Sequence, residues 1–171
     1  MGITLTLGTF SITGEKMHVS DPCYAYDCKG AITLEKVLSG EYEARIAFYR
    51  EDIWGVRVTS LSVWHVSHKD ITANICVDSV IGVDSGQAGF FDDDYYEEKQ
   101  GGDFGDLTRI FGLSCSLTLS KNHGGITEDK GVVSETGFGD GCYSLYIGKI
   151  EAGQVVSASI VFIEEEEMEE C

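Results

Sequence analysis

The stretch Cys142-Tyr-Ser-Leu-Tyr-Ile-Gly-Lys-Ile150, followed by Glu151-Ala-Gly153 and then Gln154-Val-Val-Ser-Ala-Ser-Ile-Val-Phe-Ile163, decides the fold class. Two runs rich in β-branched and aromatic residues flank a three-residue connection that contains glycine, the pattern of a β-hairpin. The second run alternates at first and then becomes apolar on both faces at Ile160, Val161, Phe162 and Ile163. A strand with two apolar faces belongs in the interior of a sheet.

Working outward, the same period of two recurs along the chain. Ile3, Leu5 and Leu7 alternate with threonines, and Tyr42, Ala44, Ile46 and Phe48 alternate with Glu41, Glu43 and Arg45. Val56 and Val58 then change phase to Leu61, Val63 and His65, which predicts a β-bulge near Ser60. Ile71–Val77 and Leu113–Ser120 also read as strands, the latter with Cys115 as a small buried hydrophobe among leucines and the serines opposite. Only Leu34–Ser39, ended by Gly40, and Asp92–Lys99, with acids at its start, have helical character. With 21 glycines and one proline, the expected fold is all-β or β-dominated α+β: an antiparallel sandwich or open barrel with one or two short helices. Residues 1–163 form one domain in this reading, and 164–171 an acidic tail expected to extend flexibly from it.

The chain carries 29 acidic and 12 basic residues, a formal charge of -17. This argues against direct nucleic-acid binding through a basic surface and against attachment to an anionic membrane. The acids are concentrated. Phe91–Asp106 and Glu164–Cys171 each carry a net charge of -6, together 12 of the 17 excess negative charges. Neither a signal peptide nor an apolar span opens the sequence, so a cytoplasmic protein with reduced thiols is expected. Gly2 and Thr6 fit a loose myristoylation pattern, but the alternation there favours a strand.

Three polar clusters stand at expected strand ends: Ser20-Asp-Pro-Cys-Tyr24, Val83-Asp-Ser-Gly-Gln-Ala-Gly-Phe-Phe-Asp92 and Gly137-Phe-Gly-Asp-Gly-Cys-Tyr143. As a site, they offer Asp21, Cys23, Asp84, Gln87, Asp140 and Tyr143. Asp84 or Asp140 would be a base or metal ligand, Gln87 a positioning amide and Cys23 a nucleophile. As structure, Asp-Pro, Asp-Ser-Gly and Gly-Asp-Gly are turn formers whose carboxylates bond to their own backbone.

The order Leu38-Ser-Gly-Glu-Tyr42, Val83-Asp-Ser-Gly86, Gly89-Phe-Phe-Asp92 and Gly139-Asp-Gly-Cys-Tyr143 resembles the bacterial and phage family called domain of unknown function 4241, over about residues 20–163. Cys142, Ser144 and Ser39 depart from its usual Ser, Pro and Pro. The resemblance implies a common fold and a clustering of these loops, and it brings no assigned reaction.

Histidines 18, 65, 68 and 123 are candidate bases for Cys23 or Cys142. A zinc site on Cys23 and Cys28 lacks a second ligand pair, and Asp92-Asp93-Asp94 lacks the spacing of a calcium loop, so no metal or cofactor is implied. The acidic stretch gives the leading functional reading. Asp92, Asp93, Asp94, Glu97, Glu98, Asp103 and Asp106, interleaved with Tyr95 and Tyr96 and near Phe90, Phe91 and Phe104, form an acidic aromatic loop. Such a loop would imitate phosphates and engage a basic or nucleic-acid-handling protein, as a binding or inhibitor protein encoded by a phage would. The alternative is a small-molecule-binding protein or hydrolase built on the three clusters. Whether the chain is an enzyme, and its oligomeric state, are left open by the sequence.

Overall fold

A computed structural model describes residues 2–51 and 55–164. Residues 165–171, which make up most of the expected acidic tail, lie outside the described residues. In chain order the elements are β1 (Gly2–Ile12), β2 (Met17–Ser20), β3 (Ile32–Leu34), β4 (Gly40–Glu51), β5 (Gly55–His65), β6 (Ile75–Val83) and β7 (Gln87–Asp92). There follow α1 (Asp93–Lys99), α2 (Ile110–Thr118), β8 (Gly124–Thr127), β9 (Gly131–Glu135), β10 (Gly141–Lys149) and β11 (Val155–Val161).

The alternation read from the sequence becomes one row of partners across five strands: Leu5, Ile46, Leu61, Ile160 and Leu145 lie side by side. Four of the five are buried and Leu5 packs against them. Each such side chain contributes about 1.5–3 kcal/mol when fully withdrawn from water. The six-stranded sheet that carries the row runs β1-β4-β5-β11-β10-β6, all antiparallel. β11 is interior, as its two apolar faces require. The expected bulge is at Thr59, the residue left over between the pairs Ala47 with Ser60 and Phe48 with Val58.

A second antiparallel sheet, β3-β2-β7-β9-β8, packs on the first. Its central strand β7 is buried at all six positions. Ala88 and Phe90 join the core between the sheets, while Phe91 packs with Tyr95, Tyr96, Ile110 and Val133 under the helices. The protein is thus a β-sandwich whose second sheet is covered on its far side by two short helices. A strand buried on both faces shows no alternation, which is why Gln87–Asp92 read as part of a polar loop.

Three expectations are corrected. Leu113–Ser120 is not a strand, because α2 covers most of it. Its buried face is Ile110, Ser114 and Thr118 with Gly112 and Cys115, a helical spacing made of small and polar residues that the leucine-serine alternation masks. At Gly112 a Cβ would collide with the backbone carbonyls of Asp103 and Asp106, so only glycine lets the preceding loop pack here. Leu34–Ser39 is not a helix either. Its backbone groups bond outward, Val37 N–H to the Glu15 carbonyl and Leu38 N–H to the Val155 carbonyl, and Lys36 has a positive φ of 55°. Finally, the strand expected from Ile71 begins only at Ile75, and Ile71 N–H instead closes a turn onto the His68 carbonyl.

Candidate functional site

The three polar clusters meet at one end of the sandwich, and Asp21 draws two of them together. Its carboxylate is fully buried. Oδ1 accepts from Cys23 N–H (2.8 Å) and Ser85 Oγ (2.6 Å), and Oδ2 accepts from the backbone N–H groups of Asp84 (2.8 Å) and Ser85 (2.7 Å). The third cluster joins through pairing of Gly141 with Val83, and a Cβ on Gly86 would lie 3.9 Å from Gly139 Cα.

Gln87, Tyr143 and Asp84 are each engaged in hydrogen bonds within this end. Gln87 is buried, its Nε2 shared between Ser85 Oγ (3.3 Å) and Cys115 Sγ (3.4 Å) and its Oε1 accepting from Thr118 Oγ1 (3.0 Å). Tyr143 donates its hydroxyl to the Gly139 carbonyl. Asp84 accepts from the Tyr24 hydroxyl at 2.7 Å, and Asp140 is exposed. Although the Cys23 residue is exposed, partial burial of its thiol, and after it the adjacent Asp21 carboxylate, pushes the thiol up to about 12. A thiol so raised holds almost no thiolate near neutral pH and is a poor nucleophile.

Among the described residues no histidine is hydrogen-bonded to Cys23 or Cys142. His65 uses both ring nitrogens, Nε2 on the Ser39 carbonyl (3.0 Å) and Nδ1 accepting from Ser67 N–H (3.1 Å). β5 ends at His65, and the turn after it brings the His68 ring to 5.6 Å from the His65 ring. His123 pairs with Glu135 at 2.8 Å. His18 is buried between Tyr26 and Tyr96, with ring centroids at 5.0 and 4.2 Å, and burial lowers its pKa to about 4. Among the described residues no group of three or more His, Cys, Asp and Glu side chains is arranged to hold a metal ion.

Residues 31–160 match the family described as Protein of unknown function (DUF4241). The chain belongs to the DUF4241 family. The matched span contains the Asp84 and Asp140 loops and both helices, and begins after the Asp21-Pro-Cys-Tyr24 turn. No curated protein and no solved structure matches the chain.

In this DUF4241 member the acidic stretch divides by burial. Asp92 caps α1, its Oδ1 accepting from Tyr95 N–H (3.2 Å) while Oδ2 takes the N–H and hydroxyl of Thr13, each at 2.7 Å. Asp93 is buried and accepts from the Tyr26 hydroxyl at 2.8 Å. Tyr96 is buried and donates to the carbonyls of Tyr24 and Asp21, and Tyr95 is buried with its hydroxyl on Glu128. Asp94, Glu97, Glu98 and Asp103 stay in solvent. Thr108 bonds to Asp106 through both its hydroxyl and its N–H, which holds that carboxyl below the ordinary aspartate range.

The loop between the helices is held by its own bonds. Asp106 N–H reaches the Asp103 carbonyl (3.0 Å), and the Arg109 guanidinium donates to the Glu98 carbonyl (2.9 Å). On this braced loop Phe104 is 73% and Leu107 57% exposed. Between the β1–β2 turn and the start of α1 lies a cleft of about 380 Å³ lined by Glu15, Lys16, Tyr26, Asp93, Asp94 and Glu97. Sequence reasoning marked the stretch but took the buried tyrosines as anchors and gave Leu107 no role.

Proposed function

We propose that the protein is a non-enzymatic binding protein that engages a basic protein partner through the exposed acids of α1 and the loop after it. A phage-encoded inhibitor that occupies the basic groove of a nucleic-acid-handling protein is the form this reading takes. One observation carries it: Phe104 and Leu107 stand in solvent on a loop braced by internal hydrogen bonds, a loop that carries Asp103 and Asp106 and follows the exposed acids Asp94, Glu97 and Glu98 of α1. Exposed apolar side chains on a preorganised loop lose little conformational entropy on docking, and the surrounding carboxylates speed encounter with a basic surface. The cleft beside α1 suits a lysine or arginine side chain of the same partner. The hydrolase reading is less well supported, since the hydrogen-bonding capacity of Asp21 and Gln87 is used within the fold.

The test is affinity capture from a lysate of the native host at moderate salt, with wild-type protein and with Asp94, Glu97, Glu98, Asp103 and Asp106 changed to amides. A stoichiometric partner of high isoelectric point, retained by the wild type and lost by the variant, is expected. A partner held equally by both proteins would contradict the reading.

A further inference from the structure

The outer face of the six-stranded sheet presents a different surface. Opposite the buried leucine row, Thr4, Ala47, Ser60, Val161 and Ser144 are paired in register across the same five strands. The next row on that face places Ser62, Ser159 and Tyr146 side by side. Small side chains in the middle of these rows leave an open groove of about 1140 Å³, with Ala47, Ser60 and Ser159 on its floor and Tyr49 and Tyr146 among its lining residues. Further along the face the character changes: Arg45 pairs with Glu43 at 2.6 Å and lies over Trp64.

Chemistry selects among ligands for this groove. In a protein of charge -17, the described lining contains one carboxylate, Glu164, and no lysine or arginine. An anion would meet a repulsive field with no local counter-charge, and a cation would find a single partner. Hydroxyls are plentiful instead. Those of Thr4, Tyr49, Ser60 and Tyr146 make no hydrogen bond to another described residue, whereas Ser159 shares one with Ser62 at 2.7 Å. Unspent hydroxyls beside aromatic rings, over a flat floor of small residues, offer hydrogen bonds and an apolar stacking surface together. The volume lies just above the roughly 300–1,000 Å³ usual for a ligand pocket, room for more than one sugar ring.

We propose that this groove binds an uncharged polyhydroxylated ligand, a neutral oligosaccharide, with Tyr49 and Tyr146 as stacking groups and Thr4 and Ser60 as hydrogen-bonding groups. The site is independent of the acidic helical layer.

The test begins with an array of neutral, sulfated and carboxylated oligosaccharides, followed by an NMR titration of the wild-type protein with the best neutral binder. Binding of neutral but not anionic glycans, with shifts confined to β1, β4, β5, β10 and β11, is expected. Tyr146→Ala and the groove-filling Ser60→Trp should each weaken it about tenfold or more at unchanged melting temperature, a loss of about 1.4 kcal/mol. No neutral glycan bound, or shifts elsewhere on the molecule, would overturn the proposal. So would a concentration-dependent dimer that Ser60→Trp abolishes, because the groove would then be an interface between copies.

Discussion

The two acidic regions of the molecule use the same residue type in opposite ways. At the three-loop end, the Asp21 carboxylate is enclosed and takes four donors from two turns. On the helical layer, Asp94, Glu97, Glu98 and Asp103 stay in solvent, as do the apolar Phe104 and Leu107 of the loop after α1. An enclosed carboxylate with every lone pair used is a structural pin, since any ligand would have to displace its bonds. Carboxylates left in water keep their charge available to a partner. The difference teaches that an aspartate in a glycine-rich loop is assigned by counting its donors.

The largest expected effect lies at the pin. Asp21→Ala should cost about 3–5 kcal/mol in urea unfolding, because the backbone donors of Cys23, Asp84 and Ser85 lose their acceptor inside the fold. Asp94→Asn with Glu97→Gln and Glu98→Gln should leave the unfolding midpoint nearly unchanged. Equal losses in the two variants would erase the contrast.

Next in size is a pH effect where the regions adjoin. His18 has a folded pKa of about 4 against an ordinary value of 6.5, so the unfolded chain binds more protons between those two values. Stability is therefore greatest above pH 6.5 and declines as the pH falls toward 4, by about 3 kcal/mol, with no further loss from this residue below that. Unfolding measured across this window should flatten in His18→Phe. An unchanged slope would mean that the ring is not held neutral.

Smaller effects separate the regions chemically. The Cys23 thiol, raised to about 12, should be alkylated by iodoacetamide at pH 8 far more slowly than a free cysteine, as peptide mass mapping would detect. Rapid modification would reopen the nucleophile reading. Least of all should Phe104→Ser disturb folding, given its exposure. It should weaken partner capture all the same, and a large drop in melting temperature would make Phe104 a packing residue rather than an anchor.

How much of this was legible in the sequence follows from what each segment packs against. The β10–β11 hairpin and the rows through Leu5, Ile46 and Leu61 could be read because one face or a whole strand meets a single core. β7 could not, since Phe90 and Phe91 point into different layers, and Gly86 before the strand and Gly89 within it read as turn residues. α2 was hidden because its buried face is built from Gly112, Ser114 and Thr118 rather than large apolar residues. For the site, the three clusters and the acidic stretch were visible as sequence, but not which acids are enclosed. Only tertiary packing separates Asp93, covered by Tyr26, from Asp94 beside it in solvent.

The most direct test of the central claim compares two variants in one capture experiment. One changes the acids of α1 and its following loop to amides, and the other carries Asp84→Ala and Asp140→Ala at the three-loop end. The account predicts that the first loses the basic partner while the second, still folded, retains it. Loss in the second with retention in the first would contradict the account and move the function to the three-loop end.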